Sequence, residues 1–151
     1  MELKEETILK KLDEQAFATI VTNSKEGLAS RTMLFGFSKG NGIFLLTQKT
    51  TGKMEHLKNS QLGLLHISGI EQDITQSYDI SASGRFEECS STSSLYRLGF
   101  ETLSKKNGQV MFILDSPAKD NYALLLLRIE SLKGWNYYQS SSGLPKTIVR
   151  V

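Results

Sequence analysis

The chain has 151 residues, of which 39% are hydrophobic and 23% charged, and its formal net charge is +2 at pH 7. This composition excludes a disordered or collagen-like protein and is typical of one globular domain, which we expect to span residues 1–151. The scattered basic residues, the single cysteine and the lack of a long apolar run argue against nucleic-acid binding, disulfides and membrane insertion, so we expect a cytoplasmic protein.

The first fifteen residues predict an amphipathic helix, because Ile8, Leu9 and Leu12 recur at helical spacing in an otherwise charged segment. A shorter helix, capped by a hydroxyl residue, is predicted within residues 50–59, and one or two more within residues 90–106. Apolar and β-branched runs bounded by turn residues predict strands at residues 17–22, 28–37, 43–47, 62–67, 78–86, 123–129 and 135–139.

Six or seven strands with few helices predict a mainly β fold of the α+β class, an antiparallel β-barrel with short flanking helices. Closure into a barrel leaves no exposed strand edges, which favours it over an open sheet. Gly84, within the fifth predicted strand, indicates a bulge or the close approach of another backbone.

One group of polar residues is suited to bind a phosphate monoester. Arg31 lies in an otherwise apolar and small strand, and Thr47, Thr50, Thr51 and Lys53 gather where a later strand ends and a helix begins. A guanidinium, hydroxyl donors, an ammonium and the amide groups of a helix N-terminus together match a phosphate. The pattern equally allows Thr51 simply to cap the helix, with Lys53 solvated and Arg31 outside the barrel, and both interpretations stay open.

Other chemistry is weakly indicated. His56 and His66 have no sequence partners at metal-ligand spacing, and Cys89 has no nearby basic residue that would activate its thiol, so neither a metal site nor a catalytic thiol is predicted. Trp135 is suited either to the core or an interface, or to form one wall of a pocket for an aromatic cofactor.

Residues 29–67 (ASRTMLFGFSKGNGIFLLTQKTTGKMEHLKNSQLGLLHI) are similar to the front half of the pyridoxamine phosphate oxidase-like flavin-binding split barrels. The shared pattern is an Arg-x-Met-Leu strand, a glycine turn, an aliphatic strand ending in Thr, and Thr-x-Lys at a helix start. The segments YDISASGRFEE and LLLLRIESLKGWN resemble the general stress protein branch of that superfamily.

The resemblance implies a six- or seven-stranded antiparallel split β-barrel that binds flavin mononucleotide (FMN) at the interface of a C₂ homodimer. It assigns the phosphate to three residues, Arg31, Thr51 and Lys53. It places Thr32, Met33 and Leu34 along the isoalloxazine ring, Leu46 and Thr47 where the pocket closes, and Trp135 near the flavin, contributed in some members by the partner subunit.

The chain departs from the oxidase pattern at four places. Gly36 and Gly52 stand where the oxidase has Lys and Arg, Asp79 stands where it has Gln, and the ending SSSGLPKTIVRV lacks its substrate-binding motif. We therefore expect FMN-dependent redox chemistry on a small molecule other than a vitamin B6 compound, with an electron donor that the sequence does not identify. The alternatives are a non-catalytic flavin-binding stress-response protein and a relative that uses deazaflavin or haem, with His56 or His66 as the axial haem ligand.

Overall fold

In the computed structural model, the backbone is described for residues 1–151 and every side chain except that of Asn59. The strands are β1 (Phe17–Ser24), β2 (Gly27–Leu34), β3 (Gly36–Ser38), β4 (Gly42–Gln48), β5 (Leu62–Gly69), β6 (Tyr78–Cys89), β7 (Tyr122–Asn136) and β8 (Thr147–Val149). The α-helices are α1 (Glu5–Glu14), α2 (Gly52–Asn59), α3 (Ser94–Ser104), α4 (Val110–Leu114) and α5 (Tyr137–Ser141).

The eight strands form one antiparallel sheet that curls into a split barrel. Hydrogen bonding follows the order β2-β1-β5-β6-β7-β4-β3, and β8 pairs with β7. β2 and β3 are therefore at opposite ends of the order, although only Phe35 separates them along the chain. The sheet must curl round to bring its two ends to this one residue, and the predicted antiparallel split barrel is confirmed, with the two three-residue strands β3 and β8 included in the eight. The expectation that closure leaves no exposed strand edge was wrong, because β2 and β3 do not pair and β2 keeps a free edge.

The inside of the barrel is filled by alternate residues of these strands. Ile20, Leu45, Leu65 and Ile80 face inward and are fully buried. Ile8 and Leu12 of α1 join the same cluster, as their helical spacing predicts. Alternation of buried and exposed residues along each strand is the expected pattern for a barrel with a packed interior.

A second apolar cluster covers one part of the barrel's outer surface. α3 and α4 pack over β4 and β7, where Phe44, Leu124 and Leu126 point away from the barrel interior. α3 also lies against β3, so close that a side chain at Gly36 would meet the backbone of Leu103 at 3.1 Å. This packing is a physical reason for glycine at position 36, where the oxidase pattern has lysine.

β6 and β7 form the longest ladder of the sheet, and its register shifts between Ser83 and Gly84. A Cβ atom on Gly84 would lie 1.8 Å from the Arg128 carbonyl oxygen, so the predicted bulge and close approach are both present.

The prediction of a separate strand at residues 135–139 was wrong. β7 runs unbroken to Asn136, and residues 137–141 form α5, whose first turn is closed by a capping box between Asn136 and Gln139. Gly134 is not in a turn; it gives room for Ile8 of α1, which a Cβ atom at that position would meet at 2.9 Å.

The outer sheet face, defined here as the outward surface of β1, β2 and β5, has no helix on it. Phe17, Leu28 and Leu62 point outward there and are 60%, 79% and 49% exposed. Leu28 and Leu62, with Val21 and Leu64, border a shallow groove of about 430 Å³. Large apolar side chains grouped on an uncovered face are typical of a protein–protein contact. In the described part of the chain, no helix is long and apolar enough to cross a membrane.

Candidate functional site

Arg31 lies on β2, the strand at one end of the sheet order, opposite Ile20 of β1. Because paired residues of an antiparallel ladder point to the same side, its guanidinium is directed to the inner side of the barrel wall. The side chain is half-buried and has no hydrogen bond or ion pair with any described residue. By contrast, the strand residues Arg85 and Arg128 are paired with Glu130 and Glu87.

Lys53 is the second residue of α2, and it is fully buried. Its ammonium contacts the sulfur of Met33 on β2, and a thioether is only a weak acceptor. Burial and, to a smaller extent, the neighbouring charge of Arg31 lower the pKa of Lys53 to about 8. Among the described residues, no carboxylate forms an ion pair with Lys53 or Arg31.

Lys106 shows how a partly buried lysine is satisfied elsewhere in the same protein. Burial lowers its pKa to about 8 as well. However, its ammonium donates to the Leu12 carbonyl at 2.8 Å and lies 3.6 Å from the centre of the Phe35 ring. Among the described residues, Lys53 has no such internal partner beyond a thioether, and the charge that shifts its pKa is that of another cation, Arg31. The arrangement at Lys53 and Arg31 is therefore an unneutralised positive site.

Two threonine hydroxyls lie beside this site. The Thr51 hydroxyl donates to the Gln48 carbonyl at 3.0 Å and is 3.1 Å from the buried hydroxyl of Thr47. Thr51 occupies the residue before α2, yet its side chain makes no capping hydrogen bond. The interpretation in which Thr51 caps the helix and Lys53 is solvated was wrong on both points.

His56 belongs to the same group of residues, and sequence reasoning considered it only as a metal or haem ligand. It lies one helical turn after Lys53, so both side chains are on one face of α2. Its Nδ1 atom is 3.0 Å from the hydroxyl of Thr22 on β1. A Cβ atom at Gly52 would have the Arg31 Nη2 atom at 3.9 Å and the His56 Nε2 atom at 4.0 Å as its nearest neighbours. In the sequence, the i, i+3 spacing of Lys53 and His56 was the one indication that His56 lies on the same helix face as Lys53.

The other residues that the resemblance places along the flavin ring lie on both faces of the sheet. Thr32 is exposed on the outer sheet face, and Met33 points inward to Lys53. Leu34 and Leu46 are half-buried, and both pack against the cluster under α3 and α4. β2 has no strand partner on the side away from β1, so the backbone edge of residues 32–34 is unpaired within the sheet.

Trp135 is not brought to this group within one chain. It faces outward on β7, opposite Asp79, whose carboxylate accepts from the Trp135 indole at 3.3 Å. The same carboxylate is 2.7 Å from Nε2 of His66. Trp135 and Asp79 line a cavity of about 260 Å³, and Lys146 lies over the indole, 4.8 Å from the ring centre. In the part of the chain that the structure describes, no three metal-ligating side chains are grouped.

No family model and no curated protein sequence matches this chain. Its fold is similar to that of a haem-binding protein from Mycobacterium smegmatis, with 12% identity and a TM-score of 0.74 over 97% of this chain and 58% of that protein. It is also similar to HutZ, the haem storage protein of Vibrio cholerae, with 14% identity and a TM-score of 0.68 over 85% of this chain and 92% of HutZ. A third similar structure is an FAD-binding protein from Mesorhizobium loti, with 11% identity and a TM-score of 0.71 over 89% of this chain and 96% of that protein.

These similarities establish the fold and not the ligand, because the identities lie between 11% and 14%. The chain spans little more than half of the Mycobacterium smegmatis protein, with 58% covered. These three neighbours are named as haem-binding, haem storage and FAD-binding proteins.

The contrast between the buried Lys53 and the partly buried Lys106 leads to a first prediction, on stability without ligand. Lys53→Met should raise the free energy of unfolding at pH 7 by about 1–3 kcal/mol, because it removes a buried charge that has no counter-charge. Lys106→Met should lower it by about 1–2 kcal/mol, because its ammonium has good internal partners. Urea denaturation of both variants measures the two effects.

The gain in the free energy of unfolding that Lys53→Met gives should become smaller as the pH rises. Because the pKa of Lys53 is about 8 when folded and 10.5 in the reference state, the unfolded wild-type chain holds more protons between these values. Wild-type stability therefore rises from about pH 8 to 10.5 as the folded lysine loses its charge. A Lys53→Met variant that is less stable than wild type at pH 7 would contradict the assignment of an unneutralised charge.

Proposed function

We propose that this protein binds FMN and that the phosphate of FMN supplies the missing counter-charge at Arg31 and Lys53. The observation that carries the proposal is the pairing of a fully buried ammonium with a half-buried guanidinium that has no carboxylate partner among the described residues. Burying an unpaired charge is unfavourable, and such groups are usually found where a ligand neutralises them.

A dianionic phosphate monoester fits this site better than a carboxylate does. Two cations of the protein meet there, and the start of α2 adds the partial positive charge of a helix N-terminus beside Lys53. The guanidinium of Arg31 can form two parallel hydrogen bonds to phosphate oxygens, and the Thr51 hydroxyl lies at the adjoining helix start. Two positive charges are matched in number by the two negative charges of the ester.

The free edge of β2 is suited to the flavin ring. Leading away from Arg31, this edge offers unpaired backbone groups at Thr32 and Leu34, while the backbone of Met33 pairs with Ala18 of β1. These free groups match the polar rim of an isoalloxazine. Leu34 and Leu46 pack on one apolar cluster at the same end of the strand, while Thr47 lies at the phosphate end. The ring would therefore extend from a charged end toward an apolar end, as FMN requires.

We propose that the second wall of the pocket comes from a partner copy of this chain that docks on the outer sheet face. Phe17, Leu28 and Leu62 are exposed there, and no element of the chain covers them. Glu130 beside the groove and the nearby Arg85 present both signs of charge, which a self-complementary C₂ contact needs. Trp135 is not at the phosphate site of its own chain, so its proposed flavin contact is to the FMN held by the partner.

In this function, bound FMN supplies the capacity to accept electrons, and the protein binds and orients it. The residues of the chain hold the phosphate and position the ring edge, in a cytoplasmic oxidoreductase that acts on a small molecule. A non-catalytic flavin-binding protein of the general stress branch would use the same residues. The two functions differ in one respect. Only in the oxidoreductase would the bound FMN be reduced by a nicotinamide donor and re-oxidised repeatedly.

Haem is a second candidate ligand, and one observation favours it. The imidazole of His66 is held by Asp79 at 2.7 Å on the outward side of β5, which is how a carboxylate orients a metal-ligating histidine. Two similar structures are named as haem-binding or haem storage proteins. Titration with haem would give a Soret band that His66→Ala abolishes if haem is the ligand, and no such band if the ligand is FMN or deazaflavin.

The phosphate assignment predicts selective loss of FMN binding in two variants. Arg31→Ala and Lys53→Met should each weaken FMN binding by about 10- to 100-fold, because each removes a charge-assisted contact to the phosphate. Neither should change the affinity for riboflavin, which lacks the phosphate. Quenching of flavin fluorescence on binding gives both dissociation constants.

Arg128→Ala is the matched control for that experiment, since Arg128 is a strand arginine already paired with Glu87. It should bind FMN as wild type does. Equal affinity of wild type, Arg31→Ala and Lys53→Met for FMN would show that the phosphate does not bind at these residues.

The dimer proposal predicts that a charge on the outer sheet face separates the subunits. Leu28→Asp should convert a dimer to a monomer in sedimentation velocity and should weaken FMN binding as well, because the partner's wall is lost. Phe112→Asp is the control, since Phe112 is 73% exposed on α4 and lies away from this face. A wild-type protein that sediments as a monomer with FMN bound would refute the shared pocket.

A further inference from the structure

The imidazole of His56 is held in a fixed position between α2 and β1. Thr22 is 2% exposed, and its hydroxyl is 3.0 Å from the His56 Nδ1 atom. This hydroxyl has no other hydrogen-bond partner among the described residues. Because a buried hydroxyl needs a partner, the contact orients the imidazole ring and leaves the Nε2 atom to face another group.

The Nε2 atom of His56 is directed to the same space as the Arg31 guanidinium. The two atoms are the nearest neighbours of the position that a side chain on residue 52 would occupy, at 4.0 and 3.9 Å. Both nitrogens lie at ordinary van der Waals distance from that position, which glycine leaves without a side chain. An anion resting against Gly52 would therefore meet the guanidinium on one side and the imidazole on the other.

The surroundings of Gly52 differ from those of Gly36, the other glycine that departs from the oxidase pattern. At Gly36 a Cβ atom would meet the Thr102 side chain at 2.9 Å and the Leu103 backbone at 3.1 Å, so packing of α3 fills the position. At Gly52 the contacts of a Cβ atom are the side-chain nitrogens of Arg31 and His56, at the longer distances of 3.9 and 4.0 Å. Gly52 is exposed, and we call the position that its Cβ atom would occupy the recess at Gly52.

We propose that His56 is a third ligand of the flavin phosphate, donating from Nε2 into the recess at Gly52, and that Thr22 is the positioning residue that holds it there. This role requires the tautomer with the ring proton on Nε2, in which the Thr22 hydroxyl donates to Nδ1. This inference rests on the proposed FMN function and deepens it, since the three donors Arg31, Lys53 and His56 would make the site selective for the phosphorylated flavin over riboflavin.

The experiment compares the dissociation constants of FMN and riboflavin in four variants. His56→Ala should weaken FMN binding about tenfold and leave riboflavin binding unchanged, because one donor to the phosphate is lost. Thr22→Val should weaken FMN binding about three- to tenfold, since the ring is no longer held. Thr22→Ser, which keeps the hydroxyl, should restore the wild-type value.

The outcomes separate this inference from the function on which it rests. If Arg31→Ala weakens FMN binding and His56→Ala does not, the inference is wrong and the phosphate site stands. If His56→Ala weakens FMN and riboflavin equally, the role of His56 is structural and the inference is also wrong. If neither Arg31→Ala nor His56→Ala changes the ratio of the FMN and riboflavin dissociation constants, the phosphate does not bind at this site. Where His56→Ala unfolds, His56→Gln keeps a donor on α2 and should retain part of the selectivity for FMN over riboflavin. A folded His56→Gln variant that loses this selectivity completely would contradict the role of a hydrogen-bond donor at residue 56.

Discussion

The account depends on the burial of the Lys53 ammonium beside the Arg31 guanidinium. The register of α2 forces this burial, because Met54 and Leu57 pack on the barrel core and the adjacent Lys53 is held against Met33 of β2. The folded chain thereby keeps two positive charges together, with the pKa of Lys53 lowered to about 8. A protein retains such an unfavourable arrangement most readily where it serves to bind an anion.

The way in which the barrel closes explains why this site is accessible. β2 and β3 end the sheet order on opposite sides, and the single residue Phe35 joins them. At this seam β2 has a free edge, α2 packs beside β1, and the end of β4 brings Thr47 close to Thr51. The site therefore combines backbone donors, a helix start and cationic side chains at the seam, where β2 and β3 are not hydrogen-bonded to each other.

Much of the fold could be predicted from the sequence, because its barrel strands alternate and its turns are marked by glycine. The strand prediction at residues 135–139 was wrong because Gly134 reads as a turn residue, whereas it is small to admit Ile8 of α1. For the site, the resemblance predicted that Arg31 and Lys53 act together. It could not show that Lys53 is buried or that Thr51 does not cap α2. His56 was missed as a phosphate-side residue because its partner Thr22 is 34 residues away on another element, and no local pattern joins them.

The most direct measurement is an NMR titration of Lys53 in protein labelled at its lysine side chains, with and without saturating FMN. In the free protein the pKa of Lys53 should be about 8. The account predicts that bound phosphate raises this pKa to the ordinary lysine value or above, since a dianion stabilises the charged ammonium, while Lys106 keeps its pKa of about 8. A pKa for Lys53 that is the same in the free and the FMN-saturated protein would contradict the account.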